Sequence, residues 1–376
     1  MSNLVFVYDP QFQKHLTPES HPESPNRLAA IENALHRSEL IKQVRRAEPR
    51  AATPDEIAMM HNPAYIEDLE RKDKKARDTK TTIQLDAAAE TFMSPESYDT
   101  AKLAAGAGIV AIEQVLKHGA PTSFVAVRPP GHHALADKPM GFCIFNNVAI
   151  GARYAQRELG AKKVMIIDWD VHHGNGTQEL FFDDPSVCFV SFHQYPFWPP
   201  NIGWYTEDGV GEGKGYNINV PLPAGTGDRG YTKAWDALVA PICAEYQPDL
   251  ILLSAGYDAH QHDPLGQQQI TTSGYYLLSN RLADLSDRTG APIAGFLEGG
   301  YNTRTLADSV VTTMSVLNAS DKAARQDVQP FGGERYGGEL APETEDRSPD
   351  TVDERIDTVR KHLSKYWKSL RTPAAV

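Results

Sequence analysis

Six short runs of almost wholly apolar residues, each leading into a stretch with helical spacing, constrain this chain more than any other feature. They span 4–8, 124–127, 164–167, 187–192, 250–254 and 293–297. A strand that is apolar on both faces has to be covered on both faces, which is the condition of strands in a parallel sheet. Helical spacing over 26–35, 98–116, 146–159, 231–246, 273–289 and 303–317 supplies the cover. Their alternation predicts an α/β fold with a central, mainly parallel sheet flanked by helices.

In an open sheet of this kind the carboxyl ends of the strands share one edge, and ligands bind there. Four of the six runs lead at that edge into polar clusters: VRPPGHHA (127–134), IIDWDVHHGNGTQ (166–178), LLSAGYDAH (252–260) and LEGGY (297–301). Sites scattered over 175 residues of sequence, 127 to 301, are thereby predicted to meet at one place, an active site at the strand ends.

The chain has 376 residues, with 49 acidic and 37 basic ones and a net charge of −12. That balance argues against a nucleic-acid partner, which needs a basic footprint. No apolar stretch approaches the roughly 20 residues of a membrane span. The N-terminus lacks the basic and apolar regions of a signal peptide. Cys143, Cys188 and Cys243 are odd in number and widely spaced, the pattern of free thiols in a reducing, cytoplasmic setting. A catalytic unit is expected over 1–320. Beyond 321 the composition shifts to Gly, Pro, Asp, Glu and Arg. This 321–376 extension closes with an amphipathic stretch, Val352, Ile356, Val359, Leu363 and Trp367, expected to dock on the domain or on a partner subunit. The charged run 71–82 reads as a solvated helix end or loop. The aromatic-rich stretch 194–215 reads as a packed wall, because a loop that long is seldom idle.

Asp170 and His172 lie two residues apart just past a strand, so an extended backbone points both the same way. With Asp258 from another strand end they make two carboxylates and one imidazole. Three protein ligands with room for water or substrate is the arrangement of a catalytic zinc site, although the set also accepts Fe(II) or Mn(II). A lone Asp at a strand end would merely cap a loop; the joint pattern favours a metal. His132 and His133 bring acid–base capacity, and Asp168 is a natural acceptor for a ring N–H. Tyr301, behind a glycine pair, is placed to donate its hydroxyl to a developing oxyanion.

At these residues the chain resembles the zinc-dependent histone deacetylase superfamily, and most of all the class II enzymes and bacterial histone-deacetylase-like amidohydrolases. The blocks that carry the resemblance are HPESPNR, RPPGHHA, GFCIFNN, DWDVHHGNGTQ, SAGYDAH, DPLG and LEGGY, in order from about His21 to Ala319. The resemblance implies the arginase–deacetylase fold, with zinc on Asp170, His172 and Asp258. It makes His133 the general base, His132 its electrostatic partner paired with Asp168, and Tyr301 the group that polarises the carbonyl. It puts Arg27 by an internal product channel. It implies structural K+ or Na+ at Asp168, Asp170, His172 and Ser191, and at Phe181, Val187 and Tyr216. Gly141, Phe142, Leu265 and Glu90 fall at the substrate tunnel, with Trp198 as the second wall in Phe197–Trp198–Pro199. Asn175 stands where class I enzymes carry Asp, which leaves His133 without a charged partner.

The function so implied is removal of an acetyl or other short acyl group from acylated lysine side chains of proteins or peptides, open to hydroxamate inhibition, with a homo-oligomer possible. Two rivals stand beside it. One is an acetylpolyamine amidohydrolase acting on small acylated amines; Leu265, where polyamine-selective relatives carry Glu, tilts away from it. The other is a non-catalytic acyl-lysine-binding protein, which would not need Tyr301 and both histidines. His260 and His262 suggest a manganese motif but read as rim or solvent-facing residues.

Overall fold

Eight strands build one sheet in the protein, described here from a computed structural model covering residues 2–332, 335, 336, 339, 340 and 348–371. In chain order they are β1 (Leu4–Val7), β2 (Arg45–Ala47), β3 (Thr122–Val125), β4 (Val164–Asp168), β5 (Val187–Gln194), β6 (Asn217–Leu222), β7 (Leu250–Ala255) and β8 (Ile293–Leu297). Across the sheet they run β2-β1-β3-β8-β7-β4-β5-β6, and every neighbouring pair is parallel. The four strands that lead into polar clusters, β3, β8, β7 and β4, are consecutive at the centre. Every residue of these four is buried.

The cover comes from α1 (Asn26–Arg37), α2 (Pro63–Thr79), α3 (Ser97–Leu116), α4 (Asn147–Glu158), α5 (Asn175–Phe181), α6 (Thr272–Thr289) and α7 (Thr303–Asn318). α7 packs between α1 and α6, and α3 packs on α4, while α3 and α7 both reach β1 and β3. Two strands depart from expectation. β6 reads NINVPL, and its Pro221 lacks the N–H a central strand needs; an edge position tolerates it. β2 is three residues long with two exposed arginines, so it has no apolar run to detect. The charged run extends as helix to Thr79, with Asn62 accepting the Ala64 N–H at its start.

Residues 228–246 form one continuous helical path interrupted by a wider turn over Trp235–Val239, just ahead of Pro241. The tail supplies α8 (Thr351–Leu363). Its Val352, Ile356, Val359 and Leu363, and Trp367 beyond it, are all buried. The face docks on this chain's own body, against β6, and the Trp367 indole donates to the Gly215 carbonyl at 2.9 Å.

Candidate active site

Asp168 ends β4 level with Ser191 of β5 and Ser254 of β7. Beyond it the chain turns on its own carboxylates: the Asp170 N–H donates to Asp168 Oδ1 (3.1 Å) and the His172 N–H to Asp170 Oδ1 (2.9 Å). Short acidic side chains that bond the backbone two residues on favour such turns. From β7, Asp258 Oδ1 accepts the Val171 N–H at 2.9 Å, and from β8 the Gly299 N–H donates to Asp170 Oδ2 at 2.8 Å. His172 Nδ1 then lies 3.1 Å from both Asp170 Oδ1 and Asp258 Oδ2.

These three residues offer donor atoms all within 4.8 Å of one another, and all three residues are buried. Gly299 is needed there, because a Cβ would collide with the Asp170 and Asp258 carboxylates. The electrostatics ask for a cation. Although burial favours a neutral ring, the two carboxylates lift His172 to about 10. Burial and the charge of Asp170 push the Asp258 carboxyl upward. Two buried carboxylates with one imidazole, tied by backbone N–H groups and converging on one point, fit a divalent ion.

The histidine pair is split by its surroundings. His132 Nδ1 meets Asp168 Oδ2 at 2.9 Å, whereas His133 Nδ1 meets the neutral Asn175 Oδ1 at 2.8 Å. Burial alone would discharge His132, but Asp168, Asp170 and Glu298 outweigh it and lift the ring to about 10. Burial, then His132 and His172, hold His133 well below the usual range. One imidazole is therefore kept charged and its neighbour, 3.9 Å away between ring centres, is kept neutral.

His133, His172 and Tyr301 open into a single pocket whose other walls are Glu90, Gly141, Phe142, Phe197, Trp198 and Leu265. Trp198 meets His133 edge-on at 4.7 Å, and Phe197 stacks on His172 at 5.4 Å. Phe142 stands edge-on to Tyr301 at 5.7 Å. Gly141 takes a positive φ of 54°, and a Cβ there would strike the His133 and Trp198 rings. Burial, with the charge of Asp258, pushes the Tyr301 hydroxyl well above its ordinary range, so it remains a neutral donor.

Other expected positions sit around this pocket. Arg27 is fully buried; its guanidinium lies 5.1 Å from the Tyr301 ring centre and donates to the Gly300 carbonyl at 2.6 Å. The Ser191 hydroxyl contacts His193 Nδ1 at 3.0 Å and His173 Nδ1 at 3.2 Å. Phe181 and Val187 flank the turn into β5, where the Asp184 N–H donates to the Phe181 carbonyl and the Val187 N–H to Asp184. Tyr216 precedes β6, and its carbonyl accepts the Phe189 N–H. His262 is exposed, but His260 is buried against expectation: its Nδ1 accepts the His262 N–H within the turn.

Some residues of the site escaped the sequence reading. Phe197 lines the pocket beside Trp198, and nothing in two adjacent aromatics says that both face inward. Glu298 Oε2 accepts the Gly131 N–H (2.7 Å) and the His132 N–H (3.2 Å), which anchors the histidine turn. An acid directly after the apolar run 293–297 was the available signal. Asp263 accepts the Leu265, Tyr301 and Asn302 N–H groups. Only the first is local, the turn that Asp-Pro favours.

A family model for the histone deacetylase domain matches residues 21–317. Histone deacetylase 10, chloroplastic, of Oryza sativa subsp. japonica is 41% identical over 322 residues, which is 82% of this chain and 72% of that protein. The polyamine deacetylase HDAC10 of Homo sapiens is 34% identical over 362 residues, 94% of this chain and 50% of that protein. The crystal structure of an HDA15 HD domain superimposes with a TM-score of 0.84 at 31% identity, covering 98% of this chain and 97% of that one. With the parallel sheet, the split histidine pair and the buried Asp-His-Asp trio, these matches establish that the chain belongs to the histone deacetylase family.

Proposed function

We propose that the pocket hydrolyses the amide of an acylated lysine side chain, releasing a short carboxylate and a free amine. The observation that carries this reading is the convergence of a buried Asp-His-Asp trio, a neutral imidazole and a tyrosine hydroxyl on one aromatic-walled pocket. Asp170, His172 and Asp258 would hold a divalent ion, zinc by donor type, which when bound supplies Lewis acidity to the amide carbonyl and acidity to a water. Monovalent K+ or Na+ would sit at Asp168, Asp170, His172 and Ser191, and at Phe181, Val187 and Tyr216.

The remaining work falls to the chain's own groups. His133, kept neutral, accepts a proton from the attacking water as its oxygen bonds the carbonyl carbon. His132, kept charged by Asp168, offsets the negative charge that gathers beside it. Tyr301 donates its hydroxyl hydrogen bond to the carbonyl oxygen as that oxygen becomes anionic. The proton on His133 then passes to the amine nitrogen while the C–N bond breaks, and His133 returns to its starting state. Phe142, Phe197 and Trp198 exclude water around the alkyl stem of the substrate. Arg27 lies behind Tyr301, on the side where the released carboxylate would leave.

A second reading is favoured by Glu90, a partly buried carboxylate in the pocket lining whose acidity is weakened by burial and Asp86. A carboxylate there suits an acylated polyamine, whose internal ammonium would lie within its reach. Specificity constants for an acetyl-lysine peptide and for acetylspermidine, on the zinc-loaded enzyme and on Glu90→Gln, separate the two. The lysine reading expects preference for the peptide, little changed by Glu90→Gln. Preference for acetylspermidine that collapses in Glu90→Gln would replace it with the polyamine reading.

A further inference from the structure

We propose that Asp263 is a positioning residue that locks the oxyanion donor Tyr301 and the rim residue Leu265 into one unit. The proposal rests on the reading of Tyr301 as that donor. Asp263 is 7% exposed, and its carboxylate bonds backbone N–H groups rather than the trio's donor atoms. Its Oδ2 accepts the Tyr301 N–H at 2.6 Å and the Asn302 N–H at 3.1 Å, and its Oδ1 accepts the Leu265 N–H at 2.9 Å. One carboxylate thus joins two segments that lie 36 to 39 residues apart in sequence.

The clamp is itself anchored on both sides. The Asp263 N–H donates to the His260 carbonyl at 2.8 Å. The Asn302 side-chain amide donates to the His262 carbonyl at 3.0 Å, and its Oδ1 caps α7 through the Thr305 N–H. On its other side Tyr301 is preceded by Gly299 and Gly300, whose backbone has no Cβ to restrict it. The glycine pair is held by Asp170 at the Gly299 N–H and by Arg27 at the Gly300 carbonyl, and Asp263 fixes the next link, the N–H of Tyr301 itself. Burial and then the charge of Asp258 lift Asp263 to about 7, against which the three backbone N–H groups favour its carboxylate form. Hydrogen bonds to a charged acceptor are the stronger class, so that form makes a stiff joint.

An amide cannot replace it. In Asp263→Asn, whichever way the side chain turns, its NH2 faces at least one of the three N–H groups. Asp263→Asn is expected to lower kcat on an acetyl-lysine peptide by about 10- to 100-fold, the cost of a lost charge-assisted bond near the reacting atoms. Metal content and the melting temperature of the loaded enzyme are measured alongside, and one metal per chain is expected to remain. The deciding measurement is the cycle with Tyr301→Phe: once the hydroxyl is gone, Asp263→Asn should cost no more than about twofold. Asp263→Glu, which keeps the charge but shifts it by a methylene, runs the same cycle if the amide variant does not fold. Equal losses in both backgrounds, or wild-type kcat in Asp263→Asn, would overturn the proposal while leaving the donor reading intact. Wild-type turnover in Tyr301→Phe alone would overturn the donor reading and the proposal with it.

Discussion

Two clusters of buried charge reach Tyr301, and they are built on opposite principles. Behind its ring, Glu23 is shared by Arg27 at 3.2 Å and by Arg128, which grips it with two nitrogens, one of them at 2.7 Å. His15 sits 3.6 Å away and is pushed down to about 3 by burial and then by Arg128, so it stays neutral. Despite complete burial, the arginines hold Glu23 down at about 2. Both arginines are paired with the one carboxylate, and their remaining donors go to backbone carbonyls of Gly300, Glu298, Phe12 and His15. In front of the ring, Asp170, His172 and Asp258 bring two carboxylates together with a single titratable imidazole. Buried charge whose donors and acceptors are all spent inside the chain serves the fold; a surplus of buried carboxylates that converges on a pocket fits a cation from outside it.

The contrast can be broken by substitution on either side. The largest effect on rate is expected in front: Tyr301→Phe should lose about 10² to 10³ in kcat with substrate affinity nearly kept, the usual cost of one oxyanion donor. Steady-state kinetics on a folded, metal-loaded variant measure it, and a wild-type kcat would leave the tyrosine without a chemical role. Behind the ring the largest effect should be on stability. Glu23→Gln leaves two buried guanidinium groups without an anion and should cost about 3 to 5 kcal/mol, read by denaturant unfolding. A folded variant of unchanged stability whose kcat collapsed would place the rear cluster in the chemistry and erase the distinction.

The smallest effect concerns a third kind of buried group, one that carries no charge at all. His61 donates from Nδ1 to the Leu135 carbonyl at 2.9 Å and accepts the Asn146 N–H on Nε2 at 2.9 Å. Burial pushes its pKa down from 6.5 to about 4. The unfolded chain therefore binds a proton that the folded one refuses between these values, so stability is full above pH 6.5 and falls as pH drops towards 4. Each pH unit in that window costs at most about 1.4 kcal/mol per histidine. His61→Gln keeps a donor and an acceptor but does not titrate, so its unfolding midpoint should depend less steeply on pH between 6.5 and 4. An unaltered slope would assign the acid sensitivity to other buried groups. Glu23 acts in a lower window: its depressed pKa contributes stability above about 4.5 that is lost as pH falls towards 2.

How much of this was legible in advance follows from the range of the contacts. Strands β4 and β8 stand out because runs of four and five residues without a polar side chain have no other home. Asp170, His172, Asp258, His133 and Tyr301 could be brought together because parallel strands must end on one edge. β6 was hidden by Pro221, and β2 by its two exposed arginines. Trp198 was visible as a pocket residue, but Phe197 beside it was not, since local spacing does not say how a loop with three prolines and three aromatics over 195–200 turns. Asp263 shows the limit most plainly. Its bond to Leu265 N is written into the DPL turn, whereas its bonds to Tyr301 and Asn302 exist only once β7 and β8 are neighbours.

The central claim is that Asp170, His172 and Asp258 hold one divalent cation without which the pocket does no chemistry. Metal content and deacetylase activity, followed together through chelation, dialysis and stepwise return of zinc, test it most directly, with Asp258→Ala as the control. One ion per chain should leave and return in step with activity, hydroxamates should inhibit only the loaded form, and Asp258→Ala should neither bind the ion tightly nor turn over. Full activity in protein stripped of metal, or in Asp258→Ala, would contradict the account.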